Sequence, residues 1–154
     1  MNFVYLSPHF PPNYYLFCVQ LNQFGVNVLG LADEPCENLR PELRSSLTEY
    51  YKVNDLHNYE ELVRALGLFT HRFGKINRLD SQNEYWLEAE ARLRTDFNIF
   101  GLRAEEIARI KRKSLMKKVF QKAGVKVARG RVVTEKISLW LHRQKIQSPI
   151  QAFA

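Results

Sequence analysis

Asn2-Phe3-Val4-Tyr5-Leu6 opens the chain as a short apolar run, and Val26-Asn27-Val28-Leu29-Gly30-Leu31 follows as a second. Between them, Tyr14, Phe17, Cys18 and Leu21 recur at i, i+3, i+4 and i+7, the spacing of one helical face. Asn13 stands in the N-cap position of that helix and Gly25 at its stop. Strand, helix and strand joined by short connections form a βαβ unit, which calls for parallel strands and a right-handed crossover.

The same alternation continues along the chain. Leu39 to Leu47 reads as a short helix with Pro41 near its first turn, and Tyr50-Tyr51-Lys52-Val53 as a short strand. Asn54-Asp55 and Asn58 mark a turn and a cap. Leu62, Leu66 and Phe69 then predict a helix near residues 59–72, with Gly74 beyond its end. A fourth strand is expected within 75–82, starting near Ile76. Asn83-Glu84 follows, then a helix through Arg94 carrying Trp86, Leu87, Ala91 and Leu93. The pattern predicts a three-layer, Rossmann-like α/β fold with a mainly parallel sheet over residues 1–101 and a helix–strand extension after it.

Several function classes lose support at this level. Asp33 and Glu34 close the second strand, where a dinucleotide fold places its ribose-binding acid. The loop after the first strand, Ser7-Pro8-His9-Phe10-Pro11-Pro12, has no glycine pattern, and its prolines lack the N–H groups a pyrophosphate needs. This loop is expected to shape a domain contact or a substrate edge instead. Cys18 and Cys36 are too isolated for a zinc site or a disulfide framework, and Cys18 reads as a buried, inert thiol. The four histidines show no ligand spacing. No apolar run reaches the roughly 20 residues of a membrane span, and no signal peptide is evident, so the cytoplasm is the expected location.

Charge is unevenly distributed. Residues 103–145 hold 14 Lys/Arg against 3 Glu, a balance of +11 within a chain of net charge +7. Such a half attracts phosphates, whether of a nucleotide, a nucleic acid or a membrane surface. Aromatic residues there are few, and neither an RNA-recognition sequence nor a zinc finger is present, which leaves specific nucleic-acid binding unsupported. Within the basic half, Ile110-Lys111-Arg112-Lys113-Ser114-Leu115-Met116-Lys117-Lys118-Val119-Phe120-Gln121-Lys122-Ala123-Gly124 reads as one helix closed by Gly124. Met116, Val119, Phe120 and Ala123 form its apolar face; Val125, Val127, Val132 and Val133 suit a strand after it. On the helix alone, Lys113 is one more solvated lysine.

The order Lys113, helix, Ala123-Gly124-Val125, valine-rich strand resembles the start of the ATP-grasp domain in the ATP-grasp superfamily. Biotin carboxylase and the large chain of carbamoyl-phosphate synthase are its best-known members. The resemblance extends to Asn83-Glu84 with the following Leu93-Arg94, and to a short strand ending in Gly101 ahead of the helix that starts at Glu105-Glu106. It covers residues 1 to about 133 and rests on order more than on any one motif. Family members often carry Asp where this chain has Arg112.

The resemblance implies a pre-ATP-grasp domain over 1–101, linker helices and the start of the ATP-grasp domain over 102–133, and a tail over 134–154. The tail is expected to be disordered or to self-associate. Lys113 becomes the ATP-phosphate lysine, and Asn83 and Glu84 become substrate or domain contacts. On the residues alone, Asn83 reads equally as a helix cap and Glu84 as a complement to the helix dipole. The implied chemistry is carboxylate activation as an acyl phosphate, with ATP and magnesium as cofactors and a carboxylate substrate that the sequence does not name. This chain is then an N-terminal segment, inactive without the remaining ATP-grasp lobes and binding neither cofactor tightly. The alternatives are a non-catalytic Rossmann-like domain for a protein partner or mononucleotide, and a polyanion binder.

Overall fold

A computed structural model describes residues 1–128 of the 154. The core is a four-stranded sheet, all parallel, of β1 (Asn2–Leu6), β2 (Asn27–Ala32), β3 (Glu49–Lys52) and β4 (Arg78–Asp80) in the order β3-β2-β1-β4. β1 pairs with β2 from Asn2↔Asn27 to Leu6↔Leu31, and with β4 from Phe3↔Arg78 to Tyr5↔Asp80. The chain winds outward from β1 through β2 to β3 and then returns to β1's other side. The order therefore reverses between β1 and β4.

Helices cover both faces of the sheet. α1 (Tyr15–Gln23) and α2 (Pro41–Ser46) pack on one face over Tyr5, Cys18, Val28, Leu39 and Leu43. α3 (Tyr59–Phe73) and α4 (Leu87–Asp96) cover the other over Val4, Leu6, Leu29, Leu31, Leu66, Phe69 and Leu93. Burial on both faces explains why β1 and β2 are continuous apolar runs and not alternating ones. This is the three-layer, Rossmann-like α/β fold predicted from the alternation.

α3 shows how the sequence punctuates its elements. Asn58 Oδ1 accepts the Glu60 N–H at 3.2 Å, Glu60 and Glu61 occupy the first turn, and Arg72 the last. Leu62, Ala65, Leu66 and Phe69 are its buried residues, at i, i+3, i+4 and i+7. The Gly74 N–H closes it on Thr70 O. Pro41 occupies the start of α2, where its missing N–H has no cost.

Four expectations need correction. Asn13 does not cap α1: the Tyr14 N–H bonds Pro11 O, so the chain enters the helix through a turn, and helical Tyr14 is the cap residue. The short strand ending in Gly101 that the resemblance implies is absent; the stretch is a connecting loop with Asn98 (φ 49°) and Gly101 (φ 138°) in positive-φ conformations. Residues 125–128 are not in a strand either, and the later valines lie outside the described residues, as does the tail. Finally, the helix expected from Glu105-Glu106 is α5 (Ala104–Lys111) and the lysine helix is α6 (Lys113–Lys122), but the latter starts after extended Arg112 (ψ 105°) and not at Ile110, which belongs to α5. No proline or glycine accounts for that boundary.

The chain divides into two compact units, residues 1–107 and the residues from Ala108 onward. In the second, α6 ends as expected at Gly124 (φ 77°), whose N–H bonds Gln121 O while the Val125 N–H bonds Phe120 O. That paired closure needs a left-handed residue, which glycine adopts without strain. The apolar face of α6 is only partly covered: Val119 and Phe120 are exposed and Met116 half-buried.

Candidate functional site

In open parallel sheets, ligands bind outside the carboxyl ends of the strands where the strand order reverses. Here that place lies beyond Leu6 and Asp80. The residue after β1, Ser7 (φ 54°), and the second residue after β4, Gln82 (φ 57°), both adopt left-handed backbone conformations uncommon for residues with a Cβ. Ser7 is buried and its N–H bonds Leu31 O at 2.8 Å. The Gln82 N–H bonds Asp80 Oδ1 at 2.8 Å, so β4 ends in a turn formed by its own aspartate.

Below this turn lies a buried polar network. Ser81 Oγ donates a short hydrogen bond to Glu90, which is fully buried, and accepts the Asn83 N–H at 3.1 Å. Glu90 Oε2 also pairs with Arg94 Nη2 at 2.9 Å. Arg94 donates from Nε (3.0 Å) and Nη2 (2.7 Å) to Leu79 O. Burial raises the Glu90 pKa above its ordinary value, and Asp80 adds to the rise; Ser81 and Arg94 act against it.

Asn83 stands directly on that network, and Glu84 follows it. The Asn83 side chain accepts the Tyr85 N–H at 3.0 Å and so caps the short 3₁₀ turn Glu84–Trp86 that leads into α4. Glu84 is exposed in its first turn. The same edge carries a group that sequence reasoning missed. His57 Nδ1 lies 2.9 Å from Asp55 Oδ1, and His57 Nε2 lies 2.8 Å from the Tyr85 hydroxyl. His57 holds the Asp55 carboxyl below the usual carboxylate range. The turn at Asn54-Asp55 was readable, but Tyr85 is 28 positions from His57 and only the fold brings it near.

On the α1/α2 side of the edge, His9, Tyr15, Glu34 and Arg40 border a groove of about 360 Å³. The Arg40 guanidinium stacks 3.9 Å from the Tyr15 ring centre, and Asn38 donates to Glu34 Oε1 at 2.6 Å. Among the described residues, His9 Nδ1 and the Tyr5 hydroxyl are buried without a hydrogen-bond partner. Cys18 is inert, since burial pushes its thiol pKa up to about 12.

Lys113 lies in the second unit, as the exposed first residue of α6. No side chain caps this helix and no acid occupies its first turn. Lys117 Nζ, one turn on, donates to Ala128 O at 3.0 Å. Among the described residues, no cluster of three or more His, Cys, Asp or Glu could hold a metal ion, and no helix is long and apolar enough to cross a membrane.

No protein-family model and no curated protein sequence matches this chain. Solved structures do. Phosphoribosylglycinamide synthetase from Anaerococcus prevotii superposes with a TM-score of 0.66 at 17% identity, over 96% of this chain and 35% of that one. L-amino acid ligase from Bacillus licheniformis superposes with a TM-score of 0.62 at 13% identity, over 94% of this chain and 42% of that one. The shared feature is the fold. The chain spans less than half the length of either enzyme.

Proposed function

We propose that this chain supplies the Rossmann-like, amino-terminal part of an ATP-grasp ligase that activates a carboxylate as an acyl phosphate, with Lys113 as a contact to the ATP phosphates. The observation that carries the reading is the parallel sheet β3-β2-β1-β4 followed by α5 and α6, in a chain that superposes almost entirely on a minor part of a synthetase and of a ligase. The Asn83-Glu84 pair and Lys113, on which the sequence resemblance rests, occupy a strand-end edge and a helix start.

The surroundings of Lys113 suit an anion. A cation at a helix N-terminus opposes the dipole, and α6 begins with Lys113 and no acid to offset it. A phosphate there would meet the ammonium together with the unsatisfied N–H groups of the first turn. Among the described residues no group of three or more His, Cys, Asp or Glu could hold the magnesium ion. When bound, ATP would supply the phosphoryl group that turns one carboxylate oxygen into a phosphate leaving group, with ADP as the other product. Asn83 and Glu84 border the edge where the carboxylate substrate would lie in this reading.

Calorimetric titration of the full chain with magnesium-ATP at fixed ionic strength tests the assignment. Lys113→Ala is expected to weaken binding at least about tenfold and Lys117→Ala by under about threefold, because the Lys117 head already has a carbonyl partner. Equal losses at every lysine, each rescued by lowering salt, would show diffuse electrostatics and overturn it.

A further inference from the structure

A cationic cleft lies at the amino end of the sheet. Because all four strands are parallel, their amino ends share one edge, opposite the strand ends described above. At the amino end of the outer strand β4, Lys75, Asn77, Arg78, Asn98, Phe100 and Arg103 line a cleft of about 250 Å³. Three of these six are cations and none is an acid. We propose that this cleft binds a phosphoryl group carried by a small molecule.

The guanidiniums are held in position before any ligand arrives. Arg103 Nη2 donates to Asn98 Oδ1 at 2.9 Å, and Asn98 is set by its left-handed turn (φ 49°) at the end of α4. Arg78 stacks 4.3 Å from the centre of the exposed Phe100 ring and donates one N–H to Asn77 O at 2.8 Å. Each guanidinium carries five donors in a rigid fork, so both keep N–H groups for oxyanions. The Lys75 ammonium adds a mobile point charge.

Two of the acids on the flanking helices already accept a hydrogen bond. Glu106 Oε2 accepts the Arg103 backbone N–H at 3.0 Å, and Asp96 Oδ2 accepts the Tyr59 hydroxyl at 2.7 Å. The site is not simply the start of α5, whose Ala104 N–H is taken by Thr95 Oγ1 at 3.1 Å. The volume suits one phosphoryl group with a small substituent, not a track of successive phosphates. A concave site of this size with fixed bidentate donors favours a small anion over nucleic acid.

The test is amide chemical-shift titration of the full chain with inorganic phosphate, at constant ionic strength made up with chloride. Saturable shifts confined to residues 75–78 and 98–103 are expected. Arg103→Gln and Arg78→Gln should each weaken binding at least about tenfold, the scale of one lost charge-assisted contact, while Arg64→Gln on α3 should leave it within about twofold. All three side chains are at the surface, and unchanged circular dichroism would confirm that each variant folds. Absent shifts, shifts spread over every basic segment, or equal losses in all three variants would overturn the proposal. Tighter binding of a single-stranded oligonucleotide, with a salt slope of several released counterions, would overturn the assignment to a small anion.

Discussion

Replacing Glu90 with Gln removes one charge from the interior and almost no volume, so it isolates the electrostatic cost of the buried pair. Glu90 is fully buried and Arg94 nearly so, with Oε2 and Nη2 2.9 Å apart. After the substitution the guanidinium would keep Leu79 O and a neutral amide oxygen at position 90, with the half-exposed Asp80 carboxylate, 3.5 Å away, as its remaining counter-charge. Breaking a buried pair by removing one partner costs about 3–5 kcal/mol, and the residual attraction of Asp80 places the loss near the lower figure, about 3 kcal/mol. Replacing both partners, Glu90→Leu with Arg94→Met, removes both desolvation penalties, which is typically neutral or stabilising by about 1–4 kcal/mol. It also strands Leu79 O and removes the Glu90 acceptor of the Ser81 hydroxyl, which keeps Asn83 O at 3.3 Å, at about 1–3 kcal/mol for a buried polar group. The double variant should therefore lie within about 2 kcal/mol of the wild type, far from the sum of the singles. Urea unfolding at pH 7, analysed as a double-mutant cycle, measures this. Strictly additive losses, or a Glu90→Gln variant as stable as the wild type, would refute the pairing.

The same pair sets a pH dependence whose sign follows from its cause. Burial raises the Glu90 pKa above its ordinary value of 4.5, so the folded state binds that proton more tightly than the unfolded chain. Its contribution to stability is then present in full below 4.5 and is lost as pH rises through the folded value. Asp55 runs the other way: its depressed pKa gives stability above its ordinary 3.8 that is lost on acidification through the folded value. Comparing wild type with the double variant cancels Asp55 and leaves Glu90. The wild type should gain on the double variant as pH is lowered from 7 to 5.

Two further outcomes follow from local geometry. Gly101→Ala should destabilise by roughly 1–3 kcal/mol, because its Cβ would stand 2.9 Å from Arg94 Cδ at φ +138°, and Arg94 is buried and pinned to Leu79 O; a variant melting with the wild type would refute that packing. Asn58→Ala should cost about 1 kcal/mol through loss of the α3 cap, read as a shift in the urea midpoint at constant m-value.

What the sequence disclosed and what it withheld separate by range. Strands β1 and β2 and helices α1 and α3 were readable because their signals are local: apolar runs, a 3.6 period, Asn58 before α3 and Gly25 or Gly74 after a helix. β4 was faint because an edge strand of three residues carries one buried side chain, Leu79. Arg94 was placed correctly on a helix but read as part of a motif. Its burial depends on Leu79 O, 15 residues back, and on a loop that wraps it at Gly101. The His57–Tyr85 contact and the cleft between Arg78 and Arg103 were unreadable for the same reason, since each joins residues from separate loops or elements. Two helices were readable over 105–124, but their boundary at Arg112 carries no proline or glycine to mark it.

Asn83 and Glu84 illustrate how the two ranges meet. Locally, Asn83 is a cap, and that much was readable. Its position, however, is fixed by a chain of contacts running from Leu79 O through Arg94 and Glu90 to Ser81 Oγ, which takes the Asn83 N–H. An apolar pair at positions 90 and 94 could hold α4 against the sheet as well as the charged pair does, but it could not hold Ser81. Ser81 in turn orients the left-handed turn at Gln82, so the carboxyl edge of β4 is aimed by the buried pair, whose Arg94 also lies 3.5 Å from the Asp80 carboxylate. If the polar core serves that edge, the double variant should keep its stability while the amide resonances of residues 81–85 move. Unmoved resonances there would show that the pair serves only the packing of α4.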